Sequence, residues 1–95
     1  MDKKAKKAKL QVYDVKEPTL EEAQAFVEGY VEAVTFPNDD RLLMNENGKL
    51  LGLPLNVEAT NLWRSHFTPE NCLYGFNNMI LGNCILIKSE IRREW

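Results

Sequence analysis

Residues 30–51 run YVEAVTFPNDDRLLMNENGKLL, and the way this stretch pairs decides the fold. Tyr30, Glu32, Val34 and Phe36 alternate with Val31, Ala33 and Thr35, the two-residue period of a strand. Pro37-Asn38-Asp39-Asp40 is turn chemistry, because proline pre-sets φ and asparagine and aspartate bond their own backbone. Arg41–Asn45 reads as a second strand. Asn47-Gly48 predicts a tight hairpin, since a type I′ turn needs positive φ at both central positions. Lys49–Leu51 then returns as a third strand, and the stretch predicts an antiparallel meander.

Upstream, Lys9–Asp14 alternates as a short strand that Pro18 stops. Thr19-Leu20-Glu21-Glu22 is a capping box, in which the Thr19 hydroxyl accepts from the Glu22 amide and the Glu22 carboxylate reaches back. Leu20, Ala23, Phe26 and Val27 recur at helical spacing, and Gly29 suits the stop, so a helix is predicted over 19–28. Downstream, Gly52-Leu53-Pro54-Leu55 breaks the chain, and Asn56 can cap a helix over 57–67 with Val57, Thr60, Leu62, Trp63 and Phe67 on its less polar face. Residues 71–78 read as a loop. Met79–Ile87 reads as a buried strand that Gly82-Asn83 interrupts as a turn or bulge. Ser89–Trp95 is charged and reads as a short helical turn or a frayed end. The expected fold is α+β: an antiparallel sheet of about four to five strands with two helices packed on one face.

With 95 residues there is room for one domain, expected over 9–95. Of these residues 44% are hydrophobic, which suffices for a core. The formal charge of −2 conceals an asymmetry. Residues 1–9 carry +4, from Lys3, Lys4, Lys6, Lys7 and Lys9 against Asp2, while 10–95 carry −6. Residues 1–8 hold too little apolar bulk to offset their ordering entropy and are expected to be a disordered lysine-rich tail. No apolar run reaches membrane-spanning length, and no apolar segment of signal-peptide type follows the lysines, so a cytoplasmic location is expected. Cys72 and Cys84 are expected to be reduced thiols. Two cysteines and one histidine do not make a zinc site, and neither metal nor cofactor is expected.

Three segments carry a family resemblance: Gly29-Tyr30-Val31-Glu32-Ala33-Val34; Asn45-Glu46-Asn47-Gly48-Lys49-Leu50-Leu51-Gly52-Leu53-Pro54-Leu55-Asn56 followed by Glu58-Ala59-Thr60; and Ile80-Leu81-Gly82-Asn83-Cys84-Ile85-Leu86-Ile87. Over residues 29–87 the chain resembles small uncharacterised proteins of bacteriophages and mobile elements, catalogued as domain of unknown function 3846. The resemblance implies such an origin, and with it a host cytoplasm, and supplies no catalytic residues.

The chemistry of the side chains leads the same way. No nucleophile–base–orienter arrangement and no nucleotide-binding or metalloprotease motif is present. His66, the single histidine, falls at the end of the second helix, where a cation suits the helix dipole. Glu32 falls on the face of Tyr30, Val34 and Phe36, where a buried carboxylate needs a partner such as Arg41 or else binds a ligand. The loop 45–56, with Asn47, Lys49 and Asn56, is explained by turn and cap chemistry; a polar loop leading into a helix can equally hold an anion. Trp63 is expected in the core. Trp95 either tucks back on the domain or anchors a partner, and Tyr74 and Phe76, in a polar loop, are candidates for a binding surface.

The reading that combines these features is a non-enzymatic accessory protein that binds a host protein. One alternative is a small-molecule or nucleotide sequestering protein using the 45–56 loop. Another is a weak nucleic-acid binder acting through Lys3, Lys4, Lys6 and Lys7, since phosphate contacts dominate such affinity.

Overall fold

The computed structural model describes residues 7–67 and 79–95. In chain order the elements are β1 (Leu10–Tyr13), α1 (Leu20–Val27), β2 (Val31–Thr35), β3 (Arg41–Asn45), α2 (Gly48–Leu51), α3 (Val57–His66) and β4 (Cys84–Ile87). A single 3₁₀ turn, Ser89–Ile91, follows. The four strands form one sheet in the order β1-β4-β3-β2.

β2 and β3 pair antiparallel, Val31 opposite Asn45 through Thr35 opposite Arg41. Their connection is the expected turn, closed by Asp39 N–H to the Phe36 carbonyl and Phe36 N–H to the Asp40 carbonyl, both 2.8 Å. Asp39 takes φ 72°, which aspartate tolerates better than most residues.

The third strand of the expected meander is absent. Residues 48–51 form one helical turn, and neither Asn47 (φ −114°) nor Gly48 has the positive φ of a type I′ turn. Two causes are visible. The buried Asn45 side chain donates to the Val27 and Glu28 carbonyls at 3.0 and 3.2 Å and accepts from Asn47 N–H at 2.7 Å, turning the chain away from the sheet. The free edge of β3 is instead taken by β4, antiparallel, whose four residues are all buried. Fully burying such side chains stabilises by about 1.5–3 kcal/mol each, well above a local turn preference. Gly52, at φ 66°, ends the helical turn.

The α+β class and a four-stranded sheet stand, with one departure from antiparallel pairing: β1 lies parallel to β4, Leu10 opposite Cys84. The two long helices do not share a face. Ala23 of α1 packs with Leu43, Ile85 and Ile87. Ala59 and Trp63 of α3 pack with Val34, Leu42 and Leu86 on the other side. Consecutive apolar residues in β3 and β4 leave both faces of the sheet to be covered, and one helix goes to each.

The capping box of α1 is present, with Glu22 N–H to Thr19 Oγ1 at 3.0 Å and Thr19 N–H to Glu22 Oε1 at 2.8 Å. The helix stops one residue before Gly29, at Glu28 in the left-handed region. Gly82, at φ 83°, breaks the apolar run before β4 as expected. A Cβ there would meet Leu53 Cδ1 at 2.7 Å. Among the described residues no helix is long and apolar enough to cross a membrane.

Candidate functional site

A cavity of about 680 Å³ lies between segment 15–20 and the C-terminal segment 90–95. Two anchors build it. The first is Glu17, whose carboxylate accepts the consecutive amides of Arg93 (2.6 Å), Glu94 (3.0 Å) and Trp95 (3.1 Å). Partial burial raises the Glu17 pKa, but the three amides and the Arg93 charge outweigh it, and the carboxyl sits below its ordinary range. Trp95 adds an indole Nε1–H bond to the Pro18 carbonyl at 2.8 Å, and its own carbonyl accepts from Arg41 Nη1.

The second anchor is Asp40, buried at 2% exposure. It accepts from Lys88 Nζ (2.9 Å), Ser89 N–H (2.8 Å) and Asn38 Nδ2 (3.1 Å), which sets where the C-terminal segment leaves β4. Burial alone would raise its pKa; the Lys88 and Ser89 bonds prevail, and the carboxyl is held below its ordinary value. A depressed carboxyl stabilises the fold above its unfolded pKa, and that contribution disappears as pH falls through the folded one. Denaturation at stepped pH is therefore expected to show wild type losing stability below the ordinary aspartate value of 3.8. Asp40→Asn should be the less stable protein at neutral pH, with the gap closing in acid. A gap independent of pH would remove Asp40 as the anchor.

Between these anchors the groove exposes Val15 (86%) and Leu20 (55%) beside the half-buried Trp95 and Ile91. Lys16, Arg93, Glu90 and Glu94 rim it with both signs of charge. Trp95 thus tucks back onto the domain and also lines the groove. Val15, Glu17 and Leu20 were missed by sequence reasoning. Leu20 fits the helical period yet turns away from the core, while Ala23 and Val27 are buried. Val15, alone among Asp14, Lys16 and Glu17, was the available signal.

A second cavity of about 450 Å³ brings together Glu32, Asn47 and Lys49, with Asn45, Glu46 and Met79. Glu32 is exposed and is not the buried acid it was expected to be. It sits on an edge strand beyond the cover of α3, opposite Met44. Arg41 instead donates its Nε to Thr35 Oγ1 at 3.0 Å. The buried acid is Asp40, and Lys88–Asp40 is the ion pair found among the described residues.

Asn56 lies outside this cavity. It is fully buried, accepts from Ala59 N–H at 2.9 Å as the cap of α3, and donates Nδ2 to the carbonyls of Lys9 (3.0 Å) and Gly82 (2.9 Å). His66 does end α3, but as a ring stacked on Phe36 with centroids 4.3 Å apart. Burial lowers its pKa against the opposing pull of Asp40, which works against a helix-end cation there. Cys84 is a free, buried thiol that burial pushes up to about 12, far from a reactive thiolate. Lys7 is exposed; Lys3, Lys4, Lys6, Cys72, Tyr74 and Phe76 lie outside the described residues. Among the described residues no group of three or more His, Cys, Asp or Glu is placed to hold a metal ion.

Comparison with known proteins gives one match. The family model described as Domain of unknown function (DUF3846) matches residues 3–94, extending beyond the segments that carry the resemblance. No curated protein and no solved structure matches the chain.

Proposed function

The chain belongs to the DUF3846 family, and from that premise we propose that it is a non-enzymatic accessory protein of a phage or mobile element that docks a host protein in the groove beside Trp95. The observation that carries this reading is the exposed apolar pair Val15 and Leu20 set against an anchored tryptophan. An apolar centre with a charged rim is the composition of protein-binding patches, and buried aromatic residues dominate their energetics. Both walls are fixed by hydrogen bonds at Glu17 and Asp40, so the groove is formed before a partner arrives and little ordering entropy is lost on docking.

The test is capture of host proteins from bacterial lysate by the tagged protein, at low and moderate salt, compared with Val15→Glu and Leu20→Glu. Both side chains project from the core. A glutamate at the first helical position also suits the helix dipole, so both variants should melt as wild type does. One stoichiometric host protein that survives moderate salt and is weakened at least about tenfold by either variant is the expected result. Capture indifferent to both variants overturns the groove.

A second reading is favoured by the cavity that gathers Glu32, Asn47 and Lys49, because about 450 Å³ falls within the range of small-ligand sites. On that reading the protein sequesters a small molecule or nucleotide. An empty capture experiment, together with a ligand-induced rise in melting temperature that Lys49→Ala removes, would favour it. The lysine tail stays as a weak nucleic-acid contact, separable because salt abolishes it.

A further inference from the structure

We propose that the protein self-associates through the outer edge of β2, pairing antiparallel with the β2 of a second copy across a two-fold axis at Ala33. β2 ends the sheet, with β3 on one side only. Its hydrogen-bonding phase can be read from the two bonds that frame it: Glu46 N–H to the Tyr30 carbonyl at 2.9 Å, and Phe36 N–H to the Asp40 carbonyl at 2.8 Å. In an antiparallel ladder the bonded pairs alternate, so Glu32 and Val34 bond inward to Met44 and Leu42. Val31, Ala33 and Thr35 therefore point their N–H and C=O groups outward. None of the turn, loop and cap bonds among the described residues uses them.

Natural edges are blunted by charged side chains, lysine above all, by proline or by a bulge. Residues 31–35 carry a single charge, Glu32, with neither lysine nor proline, and their register with β3 is unbroken. The other edge, β1, is one residue shorter and shows outward groups at Leu10 and Val12 only, since Lys9 and Tyr13 bond to β4.

A second copy is the occupant that fits. The outward residues are centred on Ala33, so a two-fold axis there pairs Ala33 with its mate and Val31 with Thr35 in both directions. Every outward donor then meets an acceptor. The smallest and an exposed side chain lies on the axis, and β-branched residues oppose each other beside it, a favourable cross-strand pair. On the opposite face Glu32 stands across from Val34 of the second copy rather than from its own mate, so like charges are not directly opposed. Hydrophobic cover is also thin here: α1 packs on Leu43, Ile85 and Ile87 of the inner strands and leaves Val31 partly buried and Ala33 exposed. The result is one continuous sheet of doubled width. Strands of five residues make a small interface, so the association should depend on concentration.

The test is sedimentation equilibrium of the full chain from low micromolar to near-millimolar concentration, with amide hydrogen exchange at both ends of the range. Wild type should pass from the mass of one chain to that of two, and the amides of Val31, Ala33 and Thr35 should gain protection as it does. Ala33→Pro deletes only an outward N–H, a place where edge strands accept proline, and should raise the dissociation constant at least about tenfold. If Ala33→Pro fails to fold, Ala33→Glu decides, because it sets two carboxylates against each other on the axis from an exposed position. A wild type that keeps the mass of one chain throughout overturns the proposal and leaves the edge to a strand from another protein. A dimer that a folded Ala33→Pro or Ala33→Glu does not weaken overturns it too.

Discussion

Asn56→Ala is expected to lower the free energy of unfolding by about 3–5 kcal/mol, although the position is polar and lies in a segment whose spacing admits a ligand loop. Loss of the cap on α3 costs about 1 kcal/mol. The larger part comes from the amide Nδ2, which bridges the carbonyls of Lys9 and Gly82. These belong to the start of β1 and the turn before β4, so one side chain ties α3 to two distant parts of the sheet. Without it the Gly82 carbonyl keeps only the weak Cys84 Sγ donor, at about 1–3 kcal/mol, while the Lys9 carbonyl retains Cys84 N–H and loses one of its two bonds, at about 0.5–1.5 kcal/mol. Asn56→Asp is the sharper variant: it keeps the acceptor for Ala59 N–H but places a negative charge against two carbonyl oxygens, and it should be at least as unstable. Urea denaturation with an unchanged m value reads the effect. A midpoint equal to wild type for Asn56→Ala would mean that the amide does not hold these elements together. Since domains of this size are stable by only about 5–15 kcal/mol, the predicted loss is about a fifth of the total or more.

Trp63→Ala carries a loss of similar size by a different route. Trp63 is 1% exposed and packs with Phe36 at 6.4 Å and with Phe67 at 4.9 Å between ring centroids. Truncation removes the burial of the largest side chain in the core, the aromatic pairs and the filling of the space left behind, together about 3–5 kcal/mol. The melting temperature should fall by roughly 20 °C. Trp63 and Ala59 are the apolar residues through which α3 is buried against the sheet, so α3 should lose hydrogen-exchange protection before the strands do. Trp63→Phe keeps most of the contact and should cost well under half as much. It also leaves Trp95 as the sole tryptophan, whose fluorescence then reports whether the C-terminal segment stays docked. A Trp63→Ala protein that melts within a few degrees of wild type would contradict this account of the core.

These two positions show what was legible and what was not. Asn56 was recognisable as a cap and Trp63 as core, because both roles depend on residues within one helical turn. That Asn56 also reaches Lys9 and Gly82 was not recognisable, since those partners lie 47 and 26 positions away. The groove divides in the same manner. Trp95 was singled out as an aromatic residue in a charged segment. Glu17, which holds that segment through bonds spanning 76 to 78 positions, carried no signal at all. Asp40 was accounted for as a turn residue, and its position in the turn is correct, yet its carboxylate serves Lys88 and Ser89 at the far end of β4.

The elements whose causes are local can be read from the residues alone: the capped helix after Pro18, the pairing of β2 with β3 through their turn, the cap of α3 and the burial of Cys84–Ile87. Side-chain period, cap geometry and turn chemistry act over a few residues, and they can be read without a fold. Long-range packing settles the rest: β4 rather than residues 49–51 completes β3, β1 lies parallel at the far edge, and Asp40 rather than Glu32 is the buried acid. The reason is the range over which the competing terms act. A tight hairpin at Asn47-Gly48 is a local preference, whereas four apolar residues from the far end of the chain offer the same edge far more buried surface. Period alone cannot weigh one against the other.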